Sequence, residues 1–246
     1  PGSSQSLSEC NTVLNTIVAS VLKDYADQLE GAADFKATLH DLIVSDIKAH
    51  KRIIFNGNNY APEWVAEAEK RGLLNLRSTV DALPSLIAEK NIKLFTAMKV
   101  LSETELRSRC EISLENYTKV INIEAETTLT MAQREILPAV LRFAGDVAGA
   151  VNAKKAASAS LPVKAEEKLL AVVSADADML SDAIDGLKNA IAAAHKNADG
   201  LQDATYERDV VIPAMGAVRA AADALETVVE EKYWPFPTYG DLLFNV

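Results

Sequence analysis

The chain has 246 residues, of which 49% are hydrophobic and 24% are charged, and its formal net charge at pH 7 is −10. A chain of this length can bury a large core and is expected to form one or two domains. The negative charge argues against a nucleic-acid partner, because phosphate binding needs clustered Lys and Arg. The sequence shows no apolar run of about 18 residues and no signal peptide, so we expect a cytoplasmic protein without a membrane partner.

Two helices are predicted within the first fifty residues. Apolar residues at helical spacing predict the buried face of a first helix, which Gly31 ends. Those residues are Val13, Leu14, Ile17, Val18, Val21, Leu22, Tyr25 and Leu29. Asp34 is the predicted N-cap of a second helix, whose apolar residues are Phe35, Leu39, Leu42, Ile43 and Ile47. We expect the two helices to pack on each other.

The stretch Ile53–Tyr60, with the sequence IIFNGNNY, interrupts this helical pattern. Asn56-Gly57 is a strong turn signal, Pro62 suits the first turn of a new helix, and Gly72 can close that helix. The loop has two interpretations, a ligand-binding loop or a source of turn geometry. We favour turn geometry, because Asn most often supplies turns and local hydrogen bonds. A short extended piece near residues 53–55 is the one candidate for a strand.

A very long helix is predicted in the middle of the chain. Short helices are expected first, at about 81–88 and 92–98, with Ser78-x-x-Asp81 as the cap of the earlier one. The sequence SETE at Ser102–Glu105 has the form of a capping box and predicts a helix that continues to about Ala156. Pro138 lies inside this helix and cannot donate to the carbonyl of Arg134, so we expect a kink there.

The second half of the chain predicts an antiparallel helical hairpin. After a small-residue connection at residues 152–167, two runs of alternating three- and four-residue steps flank a turn at Asn197–Gly200. The runs are Val173, Ala177, Leu180, Ile184, Leu187, Ile191 and Ala194, and Val211, Ala214, Val218, Ala221, Leu225 and Val228. Pro213 should bend its helix. The long central helix is the natural third member of this bundle.

The chain ends in the C-terminal strap, residues 233–246, which has the sequence YWPFPTYGDLLFNV. Pro235 and Pro237 stop any helix that arrives from upstream. We expect the apolar side chains of the strap to be substantially buried, because exposed they would form an aggregation-prone patch. These side chains are Trp234, Phe236, Tyr239, Leu242, Leu243 and Phe244.

The predicted fold is therefore all-α. It consists of a kinked bundle of long antiparallel helices with the strap at residues 101–246, and a smaller helical subregion at residues 1–100.

No residue is predicted to be catalytic, to bind a cofactor or to hold a metal. Glu124 and Glu126 do not converge on a helix, and no P-loop, GxGxxG, GxSxG or HExxH pattern is present. The histidines, predicted to be exposed, are His40, His50 and His195, and the cysteines, interpreted as small core residues, are Cys10 and Cys110.

Two residue sets have alternative interpretations. Trp64 and Trp234 are binding-surface aromatics or core anchors, and we favour core anchors. Four arginines of the long helix serve intersubunit pairing or ordinary surface salt bridges, and we favour the latter. They are Arg107, Arg109, Arg134 and Arg142.

Several segments of the chain resemble type III glutamine synthetase. They are the C-terminal strap, KRIIFNGNNYAPEWVAEAEKRGLLNL (Lys51–Leu76), EISLENYTKVINIEAETTLTMAQREILPA (Glu111–Ala139) and RDVVIPAMGAVRAAADALE (Arg208–Glu226). Residues 1–19 are similar to the stretch after the family's EFR strand, where a metal-binding Glu and a substrate-binding Arg sit. The resemblance covers essentially the whole chain, which starts with Pro rather than Met. It implies an internal fragment that holds the end of the catalytic domain and the helical C-terminal region, without the active site.

The resemblance implies a parent enzyme that condenses glutamate and ammonia with ATP and Mg²⁺ or Mn²⁺ and that forms ring-shaped homo-oligomers. This segment would serve fold completion and oligomer assembly, would bind no cofactor, and would be inactive alone. Its partners would be the catalytic domain of the same protein and identical subunits. The C-terminal strap would dock either on its own chain or on a neighbouring subunit or the catalytic domain, and the second alternative would leave it partly free in this fragment. The alternative hypothesis is a free-standing helical scaffold or coiled-coil adaptor without catalysis.

Overall fold

A computed structural model describes residues 6–194, 200–237 and 239–244 of the chain. Helix accounts for 81% of it, and no strand occurs among these described residues. The all-α prediction is therefore confirmed. The chain divides into two compact units, residues 1–113 and residues 114–246.

The first unit contains five helices that precede the long helix. They are α1 (Leu7–Leu29), α2 (Phe35–His50), α3 (Pro62–Lys70), α4 (Thr79–Leu86) and α5 (Glu89–Ala97). Their ends follow the local signals in the sequence. Gly31 and Gly72 have φ values of 76° and 73° after α1 and α3, a conformation that glycine adopts without steric cost. The side chains of Asp34 and Ser78 cap α2 and α4 by accepting hydrogen bonds from backbone amides.

The long helix begins at the predicted capping box. The backbone amide of Ser102 donates to Glu105 Oε2 at 2.7 Å, and the amide of Glu105 donates to Ser102 Oγ at 3.2 Å. These reciprocal bonds satisfy two amides that lack partners within the helix. The helix runs as α6 (Glu103–Met131), a π-helical turn (Ala132–Ile136) and α7 (Leu137–Ala157), so it ends one residue past the predicted end.

Pro138 and Pro213, the prolines of the bundle helices, each lie two residues after a π-helical turn. In the turn before Pro138, the amide of Leu137 donates to the carbonyl of Ala132, five residues back. A second π-helical turn, Glu207–Val211, precedes Pro213, and there the amide of Ile212 donates to the carbonyl of Glu207. The predicted kinks therefore take the form of wider turns, which rearrange the backbone bonds where proline has no donor.

The remaining helices are α8 (Lys164–Ala193), α9 (Gly200–Tyr206), α10 (Ile212–Glu226) and α11 (Tyr239–Phe244). Helix α8 packs against both α7 and α10, which confirms the predicted three-membered bundle. Beside the hairpin tip, the Tyr206 hydroxyl donates to the carbonyl of Ala190 at 3.1 Å. Gly200 is the first residue of α9, and residues 195–199 of the predicted tip lie outside the described residues.

The predicted heptad residues form the core of the second unit. One hydrophobic cluster contains the buried heptad residues of α8, the buried heptad residues between Val211 and Leu225, and residues of the long helix. The buried heptad residues are Val173, Ala177, Leu180, Ile184, Leu187, Val211, Val218, Ala221 and Leu225. Ile191, Ala214 and Val228 are half-buried and pack against this cluster.

Most residues of the predicted buried faces of α1 and α2 are not buried in this chain, and only Leu42 of the predicted set is fully buried. Thr16 is the buried residue of α1, and Leu42 is the buried residue of α2. The two helices do contact each other, and the Tyr25 hydroxyl of α1 donates a hydrogen bond to Asp46 of α2. Apolar side chains on both helices remain exposed because no other described element covers them; they are Leu14, Ile17, Val18, Val21, Leu22, Phe35, Ile43 and Ile47.

Two further expectations from the sequence need correction. No strand forms near the extended piece expected at Ile53–Phe55, because Lys51–Ile53 is a turn of 3₁₀-helix that continues from α2, although the backbone of Ile54 is extended. By length and composition, one stretch within the helix Glu103–Ala157 is apolar enough to cross a membrane, although no such run was expected. Buried core helices pass the same test, and Val140 and Phe143 of this helix lie in the bundle core.

Candidate functional site

The acidic and histidine residues considered from the sequence do not converge in the structure. Glu124 and Glu126 are exposed on α6 on either side of the buried Ala125, and His40 and His50 are exposed on α2. His195 lies outside the described residues. Among residues 6–194, 200–237 and 239–244, no group of three His, Cys, Asp or Glu side chains is placed to hold a metal ion.

Both cysteines are free, and they differ in environment. Cys10 is half-buried, whereas Cys110 is buried, so the core prediction is confirmed for Cys110 and wrong for Cys10. The Cys110 thiol donates to the carbonyl of Leu83 at 3.6 Å. Burial raises the pKa of this thiol, which keeps it protonated and makes it a structural residue.

The Asn-rich loop before α3 is fixed by a stack of three side chains. The rings of Phe55 and Trp64 are stacked with their centroids 4.0 Å apart, and the guanidinium of Arg71 lies 5.5 Å from the Trp64 centroid. Arg71 Nη1 donates to the backbone carbonyls of Arg52 and Ile54, at 3.3 and 3.0 Å. We call this set the Arg71 clamp, because it ties the end of α3 to the chain that enters the loop.

The tip of the loop faces solvent. Tyr60 is 97% exposed, and its amide donates to Asn58 Oδ1 at 3.0 Å, so Asn58 supplies the local turn bond that the sequence indicates. A Cβ atom at Gly57 would lie 2.6 Å from the Phe55 ring, and only glycine fits there without a shift of the ring. Trp64 is half-buried in this local stack, and it is not the core anchor that the sequence suggested.

We expect Arg71→Gln to loosen the loop, because it removes both carbonyl bonds and the ion pair with Glu67 at 2.6 Å. Hydrogen bonds from charged groups contribute about 1.5–3 kcal/mol. Trp64 fluorescence, measured in a Trp234→Phe background, should therefore become more quenchable by iodide. Lys70→Gln changes the charge at the neighbouring exposed residue and is the control. Equal quenching in the two variants would contradict the clamp.

The first half of the C-terminal strap docks on the bundle. Tyr233, Trp234 and Phe236 are half-buried and pack against the hydrophobic core. The Tyr233 ring lies 5.4 Å from that of Phe143, and its hydroxyl donates a hydrogen bond to Asp146. Both ring and hydroxyl of Tyr233 therefore hold the start of the strap on α7.

The prediction that the second half of the strap is buried is wrong for this chain. Leu242, Leu243 and Phe244 are 68%, 73% and 78% exposed. The side chain of Tyr239 lies outside what the structure describes. These three apolar residues belong to the six-residue helix α11, and too little of its surface contacts the bundle to bury them.

The bond between Tyr233 and Asp146 should make stability depend on pH. It raises the pKa of Tyr233, with smaller contributions from burial and from the charge of Asp146. Because the pKa of Tyr233 is higher in the folded chain than in the unfolded chain, the bond stabilises the folded chain fully at pH values below the usual tyrosine pKa of about 10. This stabilisation is lost as the pH rises through the raised pKa of the folded chain. We therefore expect the stability advantage of the native chain over Tyr233→Phe to disappear above about pH 10.

Urea unfolding of the native chain and of Tyr233→Phe between pH 7 and 11 measures this difference. Tyr60→Phe removes a hydroxyl from a side chain that is 97% exposed and serves as the control. A constant difference between the native chain and Tyr233→Phe across that range would contradict the proposed cause.

Comparison with known proteins defines the class of this bundle. Residues 38–155 match the protein-family model described as the glutamine synthetase C-terminal domain. The chain is 34% identical over 268 residues to type-3 glutamine synthetase from Dictyostelium discoideum, an alignment that covers 99% of this chain and 34% of that protein.

Two bacterial proteins named glutamine synthetase are also similar to this chain. The identity is 32% over 213 residues for Butyrivibrio fibrisolvens, covering 87% of this chain and 30% of that protein. It is 27% over 261 residues for Bacteroides fragilis, covering 99% and 35%. The chain thus fits the C-terminal portion of a type III glutamine synthetase, which confirms the resemblance seen in the sequence. It spans about a third of the length of these relatives.

Proposed function

We propose that this chain is the C-terminal region of a cytoplasmic type III glutamine synthetase, the ATP-dependent enzyme that joins glutamate and ammonia to form glutamine. In this proposal the chain contributes fold completion and oligomer assembly, and the catalytic residues lie elsewhere in the polypeptide. Similarity along 99% of the chain to a protein named type-3 glutamine synthetase carries the proposal.

The described residues of the chain offer no set of ligands for the metals of such a reaction. Holding ATP with Mg²⁺ or Mn²⁺ takes clustered carboxylates, and arginines must neutralise the phosphoryl group. The described residues contain no cluster of three metal-ligating side chains, so the proposal assigns these tasks to the rest of the polypeptide. Calorimetric titration of the chain with Mg-ATP should give no saturable isotherm, and a 1:1 isotherm with micromolar affinity would contradict this division of labour.

The exposed apolar residues of α1 and α2 are the proposed contact with the rest of the same polypeptide. Leu14, Val18 and Leu22 follow each other at four-residue spacing along α1 and are 59%, 55% and 61% exposed. Exposed apolar patches of this kind mark interaction surfaces. The relatives are about three times as long as this chain, and their additional residues provide the partner that would cover this surface.

The proposed contact is tested in the full-length polypeptide with Leu14→Asp/Val18→Asp. Both side chains are exposed in this chain, so the substitutions should leave the chain folded and weaken its docking. We expect a loss of ligase activity and of assembled enzyme in analytical ultracentrifugation. Asn11→Asp/Asn15→Asp, at exposed positions with the same spacing on α1, is the matched control. Unchanged activity and assembly in the first variant would favour the free-standing scaffold.

A further inference from the structure

A cavity in the first unit has the size and lining of a small-molecule site. Its volume is about 510 Å³, within the range of about 300–1,000 Å³ that is usual for ligand pockets. The first two turns of α1, helices α4 and α5, and the chain that leads into α6 surround it. Its apolar lining consists of Val13, Ala82, Leu83, Leu86, Phe95, Val100 and Leu101.

Hydrogen bonds between the surrounding elements hold the cavity open. The Cys110 thiol of α6 donates to the carbonyl of Leu83 on α4, and Asn91 Nδ2 of α5 donates to the carbonyl of Ser85 on α4 at 2.5 Å. Phe95 is only 3% exposed and forms a fixed wall. These contacts fix α4 against α5 and α6 around the cavity.

Two opposite charges line the same cavity without forming an ion pair. Glu9 lies in the first turn of α1, Arg109 lies on α6, and both side chains are exposed at the cavity. The guanidinium nitrogens of Arg109 lie more than 4.0 Å from the carboxylate oxygens of Glu9, and neither side chain forms an ion pair with another described residue. Arg109 acts on Glu105 through its charge, but the Glu105 carboxylate is already bonded to Ser102.

We propose that this cavity binds a free α-amino acid with an apolar side chain. The carboxylate of such a ligand would accept hydrogen bonds from the Arg109 guanidinium, an arrangement suited to two parallel bonds. Its ammonium group would face the Glu9 carboxylate, and its side chain would enter the space beside Leu83, Leu86 and Phe95. An amino acid of this kind would contact the apolar walls and both charged side chains, whereas a purely apolar ligand would form no ion pair with Glu9 or Arg109.

The proposal does not depend on the ligase assignment. It is tested by calorimetric titration of the full-length polypeptide with L-leucine, with excess glutamate present to fill any site for acidic amino acids. We expect one site per chain with a Kd of about 0.1–1 mM, as for other ligands of this size. Leucinamide, which lacks the carboxylate charge, and 4-methylpentanoate, which lacks the ammonium group, should each bind at least about tenfold more weakly.

Variants assign the binding to this cavity. Arg109→Gln and Glu9→Gln should each weaken L-leucine binding at least about tenfold. Arg107→Gln, two residues away on the exposed side of α6 and paired with Glu103, should leave the affinity unchanged. Val100→Trp, at a wall residue that is 42% exposed, should fill the cavity and abolish binding. The proposal is overturned if L-leucine shows no saturable binding, or if Arg109→Gln and Glu9→Gln bind it with the native affinity.

Discussion

Leu187→Ala is expected to lower the free energy of unfolding of the helical bundle by about 2–5 kcal/mol. Leu187 of α8 is fully buried in the hydrophobic core of the second unit. Its truncation removes apolar contacts and leaves a cavity between two long helices that cannot collapse freely. Urea unfolding followed by circular dichroism measures this loss.

Met179→Ala is the matched control for this variant, because it shortens a large apolar side chain of the same helix that is 62% exposed. Surface substitutions of this kind usually change stability by no more than about 0.5 kcal/mol. Equal destabilisation by the two substitutions would show that Leu187 does not lie in a close-packed seam.

If α11 belongs to the proposed assembly surface, the triple substitution Leu242→Asp/Leu243→Asp/Phe244→Asp should reduce the oligomer size of the full-length polypeptide without destabilising this chain. The three side chains are largely exposed in the chain, so new charges cost little within it. In an assembly they would bury apolar area worth about 1.5–3 kcal/mol for each residue, and carboxylates there would be strongly unfavourable. Sedimentation velocity measures the oligomer size, and thermal unfolding measures the stability.

The docked half of the strap gives the contrasting result. Trp234→Ala should lower the melting temperature, because Trp234 packs against the bundle core, and it should leave the oligomer size unchanged. Asn152→Asp adds a charge at an exposed position of α7 and controls for charge alone. Native oligomer size in the triple variant would remove α11 from the assembly surface.

Local signals in the sequence were sufficient to predict those features of the structure that depend on residues close together in the chain. The capping box at Ser102–Glu105, the first-turn proline Pro62 and the left-handed Gly72 were all predictable, because each satisfies or breaks backbone bonds within one turn. The bundle core was predictable for a related reason. A heptad repeat sustained on both sides of a turn specifies which residues face each other.

Predictions failed where the outcome depends on partners that are distant in sequence or outside the chain. The apolar spacing of α1 shows that Leu14 and Val18 suit burial, but it does not show which surface covers them. The same limit applies to Leu242 and Phe244 in the strap. The Arg71 clamp was missed because its partners are backbone carbonyls 17 and 19 residues away, and carbonyls leave no mark in a sequence.

The π-helical turn before Pro138 has a geometric consequence for the long helix. Ala132 and Val140 are both buried in the core, yet they are eight residues apart and would point about 80° away from each other on a regular α-helix, since each residue advances by about 100°. The wider turn absorbs one residue, much as a one-residue insertion would, and the effective separation becomes about seven residues, or 20°. Ala132 and Val140 therefore both reach the core from the two sides of the π-helical turn.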